Sequence, residues 1–430
     1  MQFYSTNNQP ETFNFKESLE LGIAPDGGLF MPKYFPIDFG INADRSLNQI
    51  AFDLTRLFIE QIDDSELNEI TSKLYDFDAP LIQLDENTFI LELFHGPTLA
   101  FKDFGALFLS RFQSYFSKKD QKELVILVAT SGDTGSAVAN AFFNVDGIKV
   151  VLLYPSGRVS KIQEQQLTTL GGNINALEVD GTFDNCQSLV KSAFNDTQLK
   201  NSFNLTSANS INIGRLIPQT FYYLRAYSQL KEKNLPLYFF VPSGNLGNLT
   251  AGLFAKKMGL PVTKFISCLN VNDTFEYYVN TGLFNPKDAI PTLSNAMDVG
   301  NPSNLARIRD LYNENYSAMR NDISVISFND EETLQGIKEV YQTYGYKICP
   351  HTAIGYLGMK NFEAVNQKNK SIKIILSTAH PAKFQKIVED SLGIAVSLPE
   401  RLEHCLSNKK SSIKVNSNFE SFKSLLNKIL

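Results

Sequence analysis

From about residue 123 to residue 377 the chain alternates short apolar or β-branched runs with helical stretches, and this alternation narrows its fold more than any other feature. Glu123 to Thr130 reads as a strand and Gly135 to Asn144, rich in alanine, as a helix. Ile148 to Tyr154 and Asn173 to Val179 repeat the strand, each followed by a helix, Ser160 to Leu170 and Phe183 to Phe194. Leu237 to Val241 is another strand, with Leu249 to Met258 as its helix. Phe265 to Asn270 and Ile372 to Ser377 are further strands. Strands linked through helices imply right-handed βαβ units and a mostly parallel sheet. Ligands in such folds bind beyond the carboxyl ends of the strands, so the loops leaving the strands are where chemistry is expected.

The 430 residues suffice for two or three domains with a sizeable core. Before the alternating region lies a lead-in of about 85 residues. It holds the turn cluster P-D-G-G-L-F-M-P and helical periodicity over Leu47 to Ile62 and Ser65 to Leu74, with Ser65 as the expected N-cap. A net charge of −5 argues against a general nucleic-acid or anionic-membrane binder. No apolar run approaches a membrane span. The first ten residues have no basic stretch followed by an apolar one, so a secretory leader is not expected. Cys186, Cys268, Cys349 and Cys405 are far apart, and H-E-x-x-H is absent. The expectation is a reduced, cytoplasmic protein with no metal site.

Three strand-end loops and one lysine stand out. Ser131 to Gly135 reads S-G-D-T-G, and Ser243 to Asn248 reads S-G-N-L-G-N, each between a strand and a helix. Small residues there admit a ligand to the backbone, and N–H groups at a helix N-terminus attract an anion. Either loop could cradle a phosphate or a carboxylate, or be a plain structural turn. Neither is a P-loop or a G-x-G-x-x-G dinucleotide loop. The third, S-T-A-H-P-A-K-F from Ser377, puts Thr378 at a strand end; a surface place is open to His380 and is the reading for Lys383. Lys102 lies among Ala100, Phe101 and Phe104 in F-H-G-P-T-L-A-F-K-D-F-G. A lysine there either snorkels to water or is desolvated, loses its proton more readily and becomes a nucleophile able to form an imine. A desolvated lysine, an anion cradle and a strand-end hydroxyl are together the parts needed to hold pyridoxal 5'-phosphate.

With these motifs in hand, the chain resembles the threonine synthase family, in its shorter bacterial and fungal group. G-P-T-L-A-F-K-D-F-G, A-T-S-G-D-T-G, A-N-S-I-N-I-G-R, V-P-S-G-N-L-G-N and T-A-H-P-A-K-F are similar to that family's blocks in the same order. The lead-in G-L-F-M-P also matches. The resemblance runs from about Tyr4 past Lys383. It implies an α/β protein of pyridoxal-phosphate fold type II, tryptophan synthase β-like, with two open, mostly parallel domains and a small N-terminal region. The expected segments are 1–85, then 86–235 with the lysine and the S-G-D-T-G loop, then 236–430 with the cofactor-phosphate loop. By position, Lys102 would be the Schiff-base lysine. Gly244, Asn245, Leu246, Gly247 and Asn248 would bind the cofactor phosphate. Thr378 would face the pyridine nitrogen, and Asp133 would lie near the cofactor's 3-hydroxyl.

The implied reaction turns O-phospho-L-homoserine and water into L-threonine and phosphate. By analogy with related enzymes, Ser131 and Thr134 would meet the substrate carboxylate. The substrate phosphate needs cations, and an arginine fork suits it. Arg215 is the first candidate, with Asn209, Ser210 and Asn212 beside it; Arg158 and Lys161 come second. Asn301 to Asn304, N-P-S-N, reads as a turn. The resemblance also implies a monomer with a small-molecule substrate. A serine or threonine dehydratase or a cysteine synthase shares the lysine and the glycine loops. A closer rival is a phospho-lyase that ends in 2-oxobutanoate.

Overall fold

The computed structural model describes residues 1–7, 10–36, 45–230, 233–366 and 370–430. A short antiparallel pair, β1 (Phe3–Ser5) and β2 (Phe30–Pro32), sits in the lead-in. The next strands are β3 (Leu81–Gln83), β4 (Thr88–Glu92), β5 (Leu124–Ala129), β6 (Ile148–Pro155), β7 (Ile174–Asp180) and β8 (Leu205–Ser207). The rest are β9 (Leu237–Pro242), β10 (Val262–Leu269), β11 (Ile323–Ser327), β12 (Ile372–Ser377) and β13 (Ile413–Asn416). They build a six-stranded sheet, β11-β10-β9-β12-β4-β3, and a five-stranded sheet, β13-β7-β6-β5-β8. Every pairing in the five-stranded sheet is parallel, and only β3 runs antiparallel in the other. The central strands are buried on both faces, as parallel strands covered by helices must be.

The order of the strands locates the site. In the five-stranded sheet the chain steps outward from β5 to β6 and β7, while β8 returns to the other side of β5. In the six-stranded sheet it steps from β9 to β10 and β11, while β12 and β4 lie on the other side of β9. Each sheet thus has a switch point, beside β5 and beside β9. Crevices open at such points because the connections leave in opposite directions. The loops after β5, β8, β9 and β12 are the motif loops of the sequence.

The sheets interleave along the chain. β3 and β4 precede the five-stranded sheet yet belong to the six-stranded one, and β13 crosses back to pair with β7. The segments 1–85, 86–235 and 236–430 stand as a proposal for how the chain divides, and sheet membership cuts across them.

Local capping sets several boundaries. Helix Leu47–Phe58 opens with a capping box between Ser46 and Gln49. Asp63, not Ser65, caps the following helix, Asp64–Ser72: its carboxylate accepts the N–H groups of Ser65 and Glu66. A charged oxygen two residues earlier wins because it serves two free donors and complements the helix dipole. The lead-in does not fold apart. Phe3, Phe15 and Phe30 share one buried cluster with Phe104, Phe108 and Phe112 of helix Lys102–Asp120.

Candidate active site

Lys102 is the first residue of helix Lys102–Asp120. The turn before it is sewn to the end of β12: Phe101 N–H donates to Thr378 O at 2.9 Å and His380 N–H to Leu99 O at 3.1 Å. Leu99 takes a left-handed backbone, φ 58°, to make that turn. Asp103 folds back on the loop and accepts the Thr98 N–H at 2.9 Å and its hydroxyl at 2.5 Å. A Cβ on Gly96 would fall 2.5 Å from that carboxylate, and one on Gly105 would fall 2.7 Å from Arg215 O and 2.9 Å from its Nε. The glycines of the lysine motif therefore make room for two charged side chains.

The Lys102 amine donates to Thr134 Oγ1 at 2.9 Å. Burial is the largest influence on it and brings its pKa down to about 8; Asp133 opposes that shift, while Arg215 and Lys383 add to it. About a quarter of such an amine is neutral at pH 7.5, against about one part in a thousand for an ordinary lysine.

Thr130 pins the S-G-D-T-G loop, accepting the N–H groups of Gly132 at 3.0 Å and Gly135 at 2.8 Å. Asp133 opens helix Asp133–Phe142 and is buried. Its Oδ1 takes Lys383 Nζ at 2.7 Å and Gln163 Nε2 at 3.1 Å. Burial resists the charge on Asp133, but the Lys383 ammonium, with Lys102 and the Gln163 amide adding to it, outweighs that and holds the carboxyl well below the usual range. Lys383, expected at the surface, has a side chain with no exposed area. The short 3-10 turn Pro381–Phe384 swings it inward, where Nζ also donates to Thr98 O at 2.9 Å.

The S-G-N-L-G-N loop precedes helix Gly247–Lys257, with Leu246 in a left-handed conformation, φ 59°. The N–H groups of Gly244, Asn245 and Leu246 meet no protein acceptor among the described residues. A Cβ on Gly244 would lie 2.7 Å from Met297 Cα. Asn245 anchors the loop: its Nδ2 donates to Ser210 Oγ at 2.7 Å, and its Oδ1 accepts the Ser303 N–H at 2.5 Å. Asn304 Nδ2 donates to Asn245 O at 3.0 Å, and Arg307 Nη1 donates to Asn304 Oδ1 at 2.7 Å. N-P-S-N is thus a turn that also buttresses the loop. Asn248 Oδ1 accepts the hydroxyls of Tyr222 at 2.7 Å and Tyr223 at 2.8 Å.

One cleft gathers Lys102, Asp133, Thr134, Ser210, Arg215, Gly244, Asn245, Leu246, Gly247, Asn248 and Thr378. Arg215 is 3% exposed. Its Nη1 donates to Ala208 O at 2.6 Å, while its Nε is buried without a partner. Burial lowers its pKa to about 10, with Asp103 opposing.

The remaining expected residues lie off the cleft lining. Ser131, Arg158 and Lys161 are exposed. Asn212 is buried but spent on structure, since it caps the turn at Gly214 and donates to Leu19 O and Ser207 O. Asn209 is half-buried beside Ser210 and does not line the cleft. His351 does line it and was not anticipated. It lies near the start of helix Pro350–Val365, and its Nε2 accepts the Ala296 N–H at 3.2 Å. Burial pulls its pKa down to about 4, with Asp133 opposing. No cluster of metal-ligating side chains occurs among the described residues.

Along its whole length the chain is similar to known proteins. Residues 74–378 match the family model described as pyridoxal-phosphate dependent enzyme. Residues 2–75 match "Threonine synthase N terminus" and 352–426 match "Threonine synthase, C-terminal". Threonine synthase of Buchnera aphidicola subsp. Acyrthosiphon pisum is 40% identical over 435 residues, covering 99% of each chain. The crystal structure of threonine synthase from Escherichia coli superposes with a TM-score of 0.92 at 38% identity, covering 100% of both chains. The structure of PLP-bound threonine synthase from Brucella melitensis gives 0.91 at 31% identity, covering 100% of this chain and 99% of that one.

Proposed function

The chain belongs to the threonine synthase family, and from that premise we propose that it converts O-phospho-L-homoserine and water to L-threonine and inorganic phosphate, with Lys102 as its reactive lysine. It is a pyridoxal-phosphate-dependent lyase. One observation carries the assignment of roles: an amine whose pKa burial lowers to about 8 shares one cleft with two glycine loops at the switch points of the two sheets.

The residues present fit the cofactor. The N–H groups of Gly244, Asn245 and Leu246, unpartnered within the protein, stand before an eleven-residue helix and form an anion cradle for its phosphate, with Gly247 and Asn248 completing the loop. The absent Cβ of Gly244 leaves that cradle against Met297. Thr378, at the end of β12, offers the ring nitrogen a neutral hydroxyl, and Asp133 offers a fixed carboxylate on the lysine side.

When bound, pyridoxal phosphate supplies an electron sink for the carbon centres of the substrate. The protein supplies placement and proton movement. Lys102, tethered by Thr134, takes and returns protons at Cα and Cβ, which an amine near pKa 8 can do at neutral pH. Arg215, buried with Nε unpartnered, is the cation for the substrate phosphate, and Ser210 lies beside it. Thr134, with the loop N–H groups that Thr130 does not hold, receives the substrate carboxylate. Ser131, Asn209, Asn212, Arg158 and Lys161 have no place in this arrangement as it stands. A functional monomer, as the family resemblance implies, is part of the same reading. No described helix is long and apolar enough to cross a membrane, and a cytoplasmic location is part of the same reading.

The test is to incubate the protein and pyridoxal phosphate with O-phospho-L-homoserine and to quantify phosphate, threonine and 2-oxobutanoate together. Equal phosphate and threonine is the expected result. Phosphate with 2-oxobutanoate would reassign it as a phospho-lyase with the same site.

A further inference from the structure

Two lysines converge on Asp133, and only one of them is bonded to it. Lys383 Nζ sits 2.7 Å from Asp133 Oδ1, whereas Lys102 Nζ turns to the neutral hydroxyl of Thr134 at 2.9 Å. Among the described residues no carboxylate lies within ion-pairing distance of Lys102. Among the described residues Lys383 has no other anionic partner; its second contact is the carbonyl of Thr98. Its side chain is fully enclosed, and an ammonium so placed is costly unless it is paired. It also joins three site loops, since Thr98 follows β4, Asp133 follows β5 and Lys383 follows β12.

We propose that Lys383 is a positioning residue of the active site: by occupying Asp133 it keeps that carboxylate from pairing with Lys102, and so leaves the Lys102 amine free to give up its proton. The argument is electrostatic. A carboxylate beside an amine stabilises its charged form, and in a poorly solvated cleft that attraction is strong. An ammonium already seated on the carboxylate cancels most of it. The other charged or titratable groups facing Lys102 do not substitute for Lys383. Arg215 donates to Ala208 O, Asp103 is bound to Thr98, and His351 accepts a backbone N–H. Gln163, the second donor to Asp133 Oδ1, carries no charge. The inference rests on reading Lys102 as the reactive lysine.

The test uses the full chain freed of cofactor, with competitive acetylation by acetic anhydride between pH 6 and 10 read at residue 102 by mass spectrometry. In the unaltered protein, labelling should rise through the pH of the depressed amine. Lys383→Met should move that rise upward by about one pH unit, so that labelling at pH 7.5 falls about tenfold. Lys383→Arg should keep the original profile. The double variant Lys383→Met/Asp133→Asn removes the charge together with its partner and should return the profile to within about twofold of the original. A merely structural lysine predicts otherwise, because the double variant restores no packing. An unshifted profile in Lys383→Met, or a shifted one in the double variant, would overturn the proposal. If Lys383→Met alone does not fold, the double variant and Lys383→Arg still decide it. Borohydride reduction of each sample with pyridoxal phosphate tests the underlying reading separately: a mark at a residue other than 102 would remove Lys102 as the reactive lysine.

Discussion

The Asp103 carboxylate holds Thr98 twice, by its N–H at 2.9 Å and its hydroxyl at 2.5 Å, and so closes the loop that delivers Lys102 to the cleft. Burial pushes the Asp103 carboxyl up to about 6 even against those two bonds. The ring is therefore ordered around a carboxyl that takes up its proton more readily in the folded chain than in the unfolded one. Thr98→Val removes one charge-assisted bond and should destabilise the protein by about 1.5–3 kcal/mol. Gly96→Ala should act through the same ring, because its Cβ would fall 2.5 Å from the carboxylate. Denaturant melts at pH 7.5 check both. Both variants should also lose turnover beyond what their stability explains, since the displaced ring carries the first residue of the lysine helix.

The cofactor cradle makes a second expectation specific. Gly244→Ala places a methyl 2.7 Å from the backbone Cα of Met297, which cannot rotate away. Gly247→Ala meets nothing nearer than the Asn304 amide at 3.5 Å. Pyridoxal phosphate affinity, followed by fluorescence titration, should fall about tenfold or more in Gly244→Ala, in line with the 1–3 kcal/mol of an overpacked contact. Gly247→Ala should lose distinctly less. Equal losses would mean that the contact with Met297 does not shape the loop.

The sequence exposes the parts of this protein that have a local cause. β12 falls where its apolar run lies, and β5, β6, β7 and β9 are placed to within a residue or two, because strands buried on both faces read as unbroken apolar stretches. β8, β11 and β13 are three to five residues long and draw their pairing from neighbours far along the chain, so no local pattern announces them. The same division holds in the cleft. Lys102, the two glycine loops and Thr378 carry their motifs with them. His351 follows a proline at a helix start and has no signature of its own. Lys383 did carry a signal: it stands between Ala382 and Phe384, much as Lys102 has Ala100, Phe101 and Phe104 around it, and apolar neighbours argue against a solvated amine in both places. Asn212 misleads in the other direction, because a buried asparagine in a motif serves equally well as a cap.

Arg215 offers a third prediction. Its guanidinium is buried, is tied by one short bond to Ala208 O, and has an unpartnered Nε. The residue lines the cleft, and an anion that reaches its guanidinium would gain a charge-assisted bond. Arg215→Gln should raise KM for O-phospho-L-homoserine about 10- to 100-fold, the equivalent of 1.5–3 kcal/mol. Affinity for pyridoxal phosphate should change far less. Steady-state kinetics beside a cofactor titration separates the two, and an unchanged KM would remove Arg215 from the substrate site.

His351 makes stability depend on pH in a direction that can be worked out. Burial lowers its pKa from 6.5 to about 4, so the unfolded chain takes up this proton first as the medium is acidified. Stability associated with neutral His351 is intact above about pH 6.5, erodes below it, and is lost as the pH falls through about 4. At pH 5 the loss amounts to about 2 kcal/mol. Asp103 works the other way: with its pKa raised to about 6, the folded form protonates first and gains stability between about pH 6 and 4. The two effects overlap, so the wild-type curve alone hides both. Comparing wild type with His351→Gln cancels Asp103, which is common to the two proteins. The advantage of wild type over the variant should shrink by about 2 kcal/mol between pH 7.5 and pH 5 in urea melts. A constant difference across that range would mean that His351 binds its proton as readily folded as unfolded, and that its bond from the Ala296 N–H does not hold it neutral.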